Sequence, residues 1–145
     1  MQPCVSLRLP EDLAHLGMVR RVSREMLSSF GVGAQDLDDI EFLVGELATN
    51  AARHAHSNFY YVEIELSDDT AVVTVSDRGI GFQRGLVPQA GTFRSDSTGN
   101  AGRFGGWGLP LVEMLADNVE FLPSLPHGTT VRAEKRLQTG RTNER

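Results

Sequence analysis

Apolar and polar positions alternate over residues 4–9, with Val5, Leu7 and Leu9 on one side and Ser6 and Arg8 on the other, which predicts a short strand. Pro10-Glu11-Asp12 then predicts a helix start, with proline in the first turn and acids near the positive end. Leu13, Leu16, Val19, Val22, Met26 and Phe30 follow at helical spacing, and Gly31 and Gly33 stop the run. A longer helix is predicted from about Asp36 to about His56, its core stripe made of Leu37, Ile40, Val44, Leu47 and Ala51. Alternation returns over residues 60–66, with Val62, Ile64 and Leu66 against Tyr61, Glu63 and Glu65. Ser67-Asp68-Asp69 reads as a hairpin turn, and residues 71–77 as the returning strand. A long glycine-containing loop runs to Gly105, followed by a helix from about Leu109 to Ala116 with Pro110 in its first turn. Residues 118–122 and 128–136 read as two last strands. Strand, two helices, hairpin, loop, helix and hairpin predict an α+β two-layer sandwich, three helices on one face of a mostly antiparallel, mixed sheet. Residues 1–137 form one domain on this reading, and residues 138–145 a polar, frayed tail.

Composition narrows the class. The chain has 145 residues and is 40% hydrophobic and 23% charged, enough for a single well-filled core. The net charge is −5 with no basic run, so nucleic acid is not an expected partner. Cys4 is the single cysteine, which excludes an internal disulfide and a cysteine-based metal cluster. No apolar run reaches membrane-spanning length, so no membrane association and a cytoplasmic location are expected.

The chemistry concentrates in the long helix. Glu46, Asn50 and His54 recur at i, i+4 and i+8, so they share one ridge, with Arg53 beside them. That ridge borders the core stripe instead of opposing it. Asp77 shares parity with Ala71, Val73 and Val75, which places a carboxylate at a strand end on the helix-covered side. An unpaired charge there is costly, and a ligand donor is one candidate partner. Gly105-Gly106-Trp107-Gly108 before a helix outlines a phosphate cradle, although it is neither a Walker loop nor a dinucleotide fingerprint.

Four stretches appear in order: Glu46-x-x-x-Asn50-Ala51-x-Arg53-His54, Asp77-x-Gly79-x-Gly81-Phe82, Gly106-x-Gly108-Leu109 and Gly128-Thr129-Thr130. Together they resemble the GHKL ATPase superfamily, whose Bergerat-type fold is an α+β sandwich. The chain is most similar to the stand-alone anti-sigma-factor serine/threonine protein kinases. The resemblance implies ATP and magnesium as cofactors, with Asn50 as magnesium ligand. It implies Glu46 as general base and a lid arginine, Arg103 or alternatively Arg94, at the transferred phosphate. Asp77 would accept from the adenine amine with Thr130 nearby, and Gly79 and Gly81 would let the backbone pass close to the base. Arg53, His54, Gly106, Gly108 and Leu109 would surround the phosphates.

The function so implied is an ATP-dependent protein kinase of a partner-switching system. It would phosphorylate a small anti-sigma-factor antagonist, hold a sigma factor and act as a homodimer. The alternatives are an ATP-gated protein-binding module without phosphotransfer, and a switch kinase acting on a scaffold or phosphatase.

Overall fold

The computed structural model describes residues 2–54, 59–77, 108–123 and 128–138. Strand β1 (Cys4–Pro10) leads through a short 3-10 turn (Leu13–His15) into α1 (Leu16–Ser29) and then α2 (Ala34–His54). Strands β2 (Phe59–Leu66) and β3 (Thr70–Asp77) form a hairpin, and α3 (Gly108–Leu115) precedes β4 (Asn118–Pro123) and β5 (Thr129–Arg136). The sheet order is β1-β2-β3-β5-β4, and all four pairings are antiparallel, so no parallel pair of the expected mixed sheet occurs among the described residues.

One parity of every central strand is buried. Leu9, Tyr60, Val62, Ile64, Leu66, Ala71, Val73, Val75, Val131 and Ala133 are each at most 6% exposed, while their neighbours face outward. This period-two pattern is what a sheet covered on one face requires. The cover is α2, which packs on β2, β3 and β5 and is flanked by α1 and α3. Because α2 has neighbours on three sides, Leu43, Ala48 and Ala52 are buried beside the predicted stripe of Leu37, Ile40, Val44, Leu47 and Ala51. Burial of each large aliphatic side chain contributes roughly 1.5–3 kcal/mol before entropy is counted.

The first helix departs from expectation. Pro10 is the last residue of β1, not a helix residue, because Asp12 is extended and its carboxylate accepts from the Ala14 amide at 2.8 Å. That cap starts the helical segment three residues later. Of the predicted stripe Val19 is fully buried and Leu16, Met26 and Phe30 pack partly buried against the core; Ser23 and Leu27 are the fully buried residues outside that stripe, and Leu13 is 46% exposed. Ser23 is tolerated inside because its hydroxyl donates to the Val19 carbonyl at 2.7 Å.

Three contacts close the far end of the sandwich. Leu137 N–H donates to the Asp69 carbonyl at 2.7 Å, and Gln138 N–H donates to Asp36 Oδ2 at 2.9 Å. Lys135 Nζ lies 3.4 Å from Asp39 Oδ2. Gln138, expected at the start of a frayed tail, is therefore tied to the first turn of α2; residues 139–145 lie outside the described residues.

Candidate functional site

A small cavity of about 10 Å³ lies between the second half of α2 and the ends of two central strands. Leu47, Asn50 and Ala51 line it from α2, Val75 and Asp77 from β3, and Thr129 and Val131 from β5. Its wall is apolar apart from one amide, one carboxylate and one hydroxyl, the usual balance of a small-molecule site.

Asn50 is the unusual member. It is 3% exposed, and neither its Oδ1 nor its Nδ2 has a hydrogen-bond partner among the described residues. A buried polar group without a partner costs about 1–3 kcal/mol. Helix α2 imposes this because Asn50 occupies a position flanked by Leu47 and Ala51, both buried. An oxygen and an amide aimed into such a cavity suit a hard cation or a polar ligand.

Asp77 ends β3 on the covered face, at 7% exposure, as the parity argument expects. Its register partners are Tyr60 on β2 and Thr129 on β5. Thr130, named from sequence, pairs with Ser76 and has the opposite parity, so it faces away from the cavity. Thr129, 5% exposed, stands at the cavity in its place. Parity carried that signal, because Thr129 shares a face with Val131 and Ala133 and Thr130 does not.

Glu46, one turn before Asn50, does not line this cavity. It opens into a groove between α1 and α2, with Arg20, Asp38, Glu41, Phe42 and Gly45. Burial pushes the Glu46 carboxyl up, while Arg20 and then Arg53 pull it back down. A carboxylate raised in this way is a better proton acceptor near neutral pH than an ordinary surface glutamate. Gly45 leaves room for this arrangement: a Cβ there would sit 2.6 Å from Arg20 Nε. Arg24 bridges Asp38 and Glu41 at 3.0 and 2.7 Å and offsets their charge.

Arg53 is exposed on the same ridge, and His54 is the last residue of α2. Gly108 and Leu109 open α3, with Pro110 buried in its first turn. Gly79, Gly81, Arg94, Arg103, Gly106 and the His54 and Leu109 side chains lie outside what is described. Among the described residues no group of three or more His, Cys, Asp or Glu could hold a metal ion. No described helix is long and apolar enough to cross a membrane.

Residues 9–135 match the family described as Histidine kinase-like ATPase domain. The chain belongs to that family. It is 27% identical to the serine-protein kinase RsbW of Bacillus licheniformis, over 97% of this chain and 89% of that one. It is 32% identical to the anti-sigma F factor of Pasteuria penetrans, over 74% of this chain and 73% of that protein. A crystal structure of the RsbU and RsbW domains of a Mycobacterium tuberculosis protein superposes with a TM-score of 0.67 at 23% identity. That match covers 97% of this chain and 33% of the solved chain, and it supports the histidine kinase-like ATPase fold.

Proposed function

We propose that this chain is an ATP-dependent serine/threonine protein kinase of a partner-switching system, its substrate a small anti-sigma-factor antagonist. The observation that carries the reading is Asn50: a buried amide without a partner among the described residues, in the cavity that Asp77 closes. Membership in the ATPase family and similarity to relatives named serine-protein kinase RsbW and anti-sigma F factor support the rest. The acting unit is residues 1–137, working in the cytoplasm as a homodimer that also holds a sigma factor.

In this reading Asp77 accepts a hydrogen bond from the adenine amine, and Thr129 shares that end of the cavity. Asn50 Oδ1 holds magnesium, which when bound offsets the phosphate charge. By the family resemblance Arg53, His54, Gly106, Gly108 and Leu109 would hold the phosphates, Gly79 and Gly81 would flank the base, and Arg103 or Arg94 would offset the charge of the transferred phosphate. The acceptor hydroxyl oxygen bonds to the γ-phosphorus, the bond to the β–γ bridging oxygen breaks, and ADP leaves. Glu46 takes the hydroxyl proton. A general base of this kind contributes roughly 10²–10⁴-fold.

One observation favours the rival, an ATP-gated binding module without transfer: Glu46 opens into the α1–α2 groove and not into the Asn50 cavity. A transfer assay with γ-labelled ATP, magnesium and the antagonist encoded beside this gene separates the two. The kinase reading expects label on one serine or threonine, and loss of about 10²-fold or more in Glu46→Gln with ATP binding retained. Tight ATP binding with no label on the antagonist would hand the lead to the binding module. Transfer by Glu46→Gln at the wild-type rate would remove Glu46 as the base.

A further inference from the structure

Helix α3 is short, eight residues and about 12 Å long, and it carries no basic residue in its last turn. The carbonyls at its C-terminal end therefore have no cation of their own helix to meet them. One arrives from another element. Lys135 Nζ, on β5, donates to the Leu115 carbonyl at 2.9 Å and lies 3.4 Å from Asp39 Oδ2 on α2. The two side chains are 13% and 14% exposed, so this is a largely desolvated pair. Asp39 is itself held, accepting from Gln35 Nε2 at 3.1 Å. Lys135 is the single lysine of this chain. A compact ammonium on a flexible stem can serve a carbonyl and a carboxylate together in a confined space, where a planar guanidinium imposes its own fork.

The node lies at the opposite end of the sandwich from the cavity. On β5, Thr129 lines the cavity and Lys135 sits near the far end of the strand. On α2, Asp39 lies near the start and Asn50 near the end. Helix α3 packs on α2, and the carbonyl of its last residue, Leu115, lies at the Asp39 end of α2.

We propose that Lys135 is a positioning residue for the nucleotide site: by gripping the Leu115 carbonyl and the Asp39 carboxylate it fixes α3 along α2, and so sets where Gly108 and the first helical amides stand. This rests on the ATP reading above for the identity of the ligand. Buried Val112 and Pro110 hold α3 laterally. Apolar contact is not directional and resists sliding poorly, whereas a charged hydrogen bond to a terminal carbonyl fixes the axial position.

The test uses the full chain in four forms: wild type, Lys135→Met, Lys135→Arg and Asp39→Asn. Amide exchange is followed on α3 and on the β2–β3 hairpin, and ATP affinity is measured with magnesium at a temperature where every form is folded. Lys135→Met is expected to speed exchange at residues 112–115 while the hairpin stays protected. It is expected to raise the ATP Kd about tenfold, the scale of losing one charged hydrogen bond. Asp39→Asn should follow it in direction, and Lys135→Arg, which keeps the cation, should stay close to wild type. A core change on α1, Leu27→Ala, serves as the stability control and should leave ATP affinity unchanged. Unaltered exchange on α3 in Lys135→Met overturns the pin. Faster exchange with unaltered ATP affinity overturns its role in the site. Should wild type bind no ATP, the nucleotide reading fails and the link to affinity with it, while the exchange comparison still decides the pin.

Discussion

At the scale of single residues, Asp77 and Glu46 make opposite demands on the same kind of group. Asp77 is 7% exposed at the end of a covered strand, where on the proposed reading its acceptor oxygens would read a ligand donor. Asp77→Asn presents an amide of nearly equal size. It is expected to fold normally and to raise the ATP Kd by 10-fold or more, since one lost charged hydrogen bond is worth about 1.5–3 kcal/mol. Calorimetric titration checks this, and an unchanged affinity would remove Asp77 from the base pocket. Glu46 is raised first by burial, so its proton is released at higher pH than from a free glutamate. With Glu46 as the proposed base, transfer would need its deprotonated form, so the rate should climb with pH through a midpoint above the ordinary glutamate range. The linkage to stability has the reverse sign. A carboxyl raised in the folded state favours folding at low pH, and that advantage is lost as pH rises through the folded value. Glu46→Gln should therefore flatten both profiles. Asn50 and Asp77 were both legible in the sequence, the first from i, i+4 spacing and the second from strand parity. The glycine-threonine-threonine motif alone does not distinguish Thr129 from Thr130; strand parity does, because Thr129 shares a face with Val131 and Ala133.

At the scale of elements, the long α2 and the β2–β3 hairpin were the most legible parts of the chain, because their apolar periods are unbroken over many residues. Helix α1 was less so. Its sequence offers two adjacent apolar stripes, and only contact with α2 selects Val19, Ser23 and Leu27. A serine on the buried stripe gives no hydrophobic signal. The end of α1 was legible for a specific reason. Gly31 has φ of 87°, its N–H donates to the Ser28 carbonyl at 3.1 Å, and Val32 N–H donates to the Leu27 carbonyl at 3.1 Å. This is a Schellman cap, which needs a left-handed residue. Gly31→Ala should cost about 1–2 kcal/mol in urea unfolding with an unchanged slope. Gly45→Ala should behave differently. Its backbone angle is not left-handed and alanine favours the helix by roughly 0.8–1 kcal/mol, but the new methyl must displace the Arg20 guanidinium. Stability is expected to hold or rise slightly, while the Glu46 midpoint moves further up because Arg20, the stronger of its two cationic neighbours, is pushed aside. An unchanged midpoint in Gly45→Ala would show that Arg20 does not act on Glu46.

At the scale of the whole molecule, a sheet, its covering layer and the cavity between them would make stability and ligand binding compete at Asn50 on the proposed reading. Apart from Asp77 and Thr129 the rest of the cavity wall is apolar, and an amide in it without a partner among the described residues opposes folding of the empty protein by about 1–3 kcal/mol. The topology does not relieve that cost. Asn50 sits where α2 crosses the ends of β3 and β5, and the described residues there present Leu47, Ala51, Val75 and Val131 around it. Asn50→Leu replaces the amide with an apolar group of similar shape. The empty variant is expected to unfold a few degrees higher than wild type, since 1 kcal/mol corresponds to about 2–4 °C near this chain length. Wild type should gain about 2.7 kcal/mol from ATP with magnesium at a hundredfold excess over its Kd. The variant should gain nothing, so the order of the two melting temperatures reverses on adding nucleotide. Thermal unfolding with and without ATP and magnesium reads both effects in one experiment. A variant less stable than wild type without nucleotide would mean that the amide is satisfied within the protein. A variant that keeps the full nucleotide-linked gain would mean that Asn50 plays no part in holding ATP or its metal.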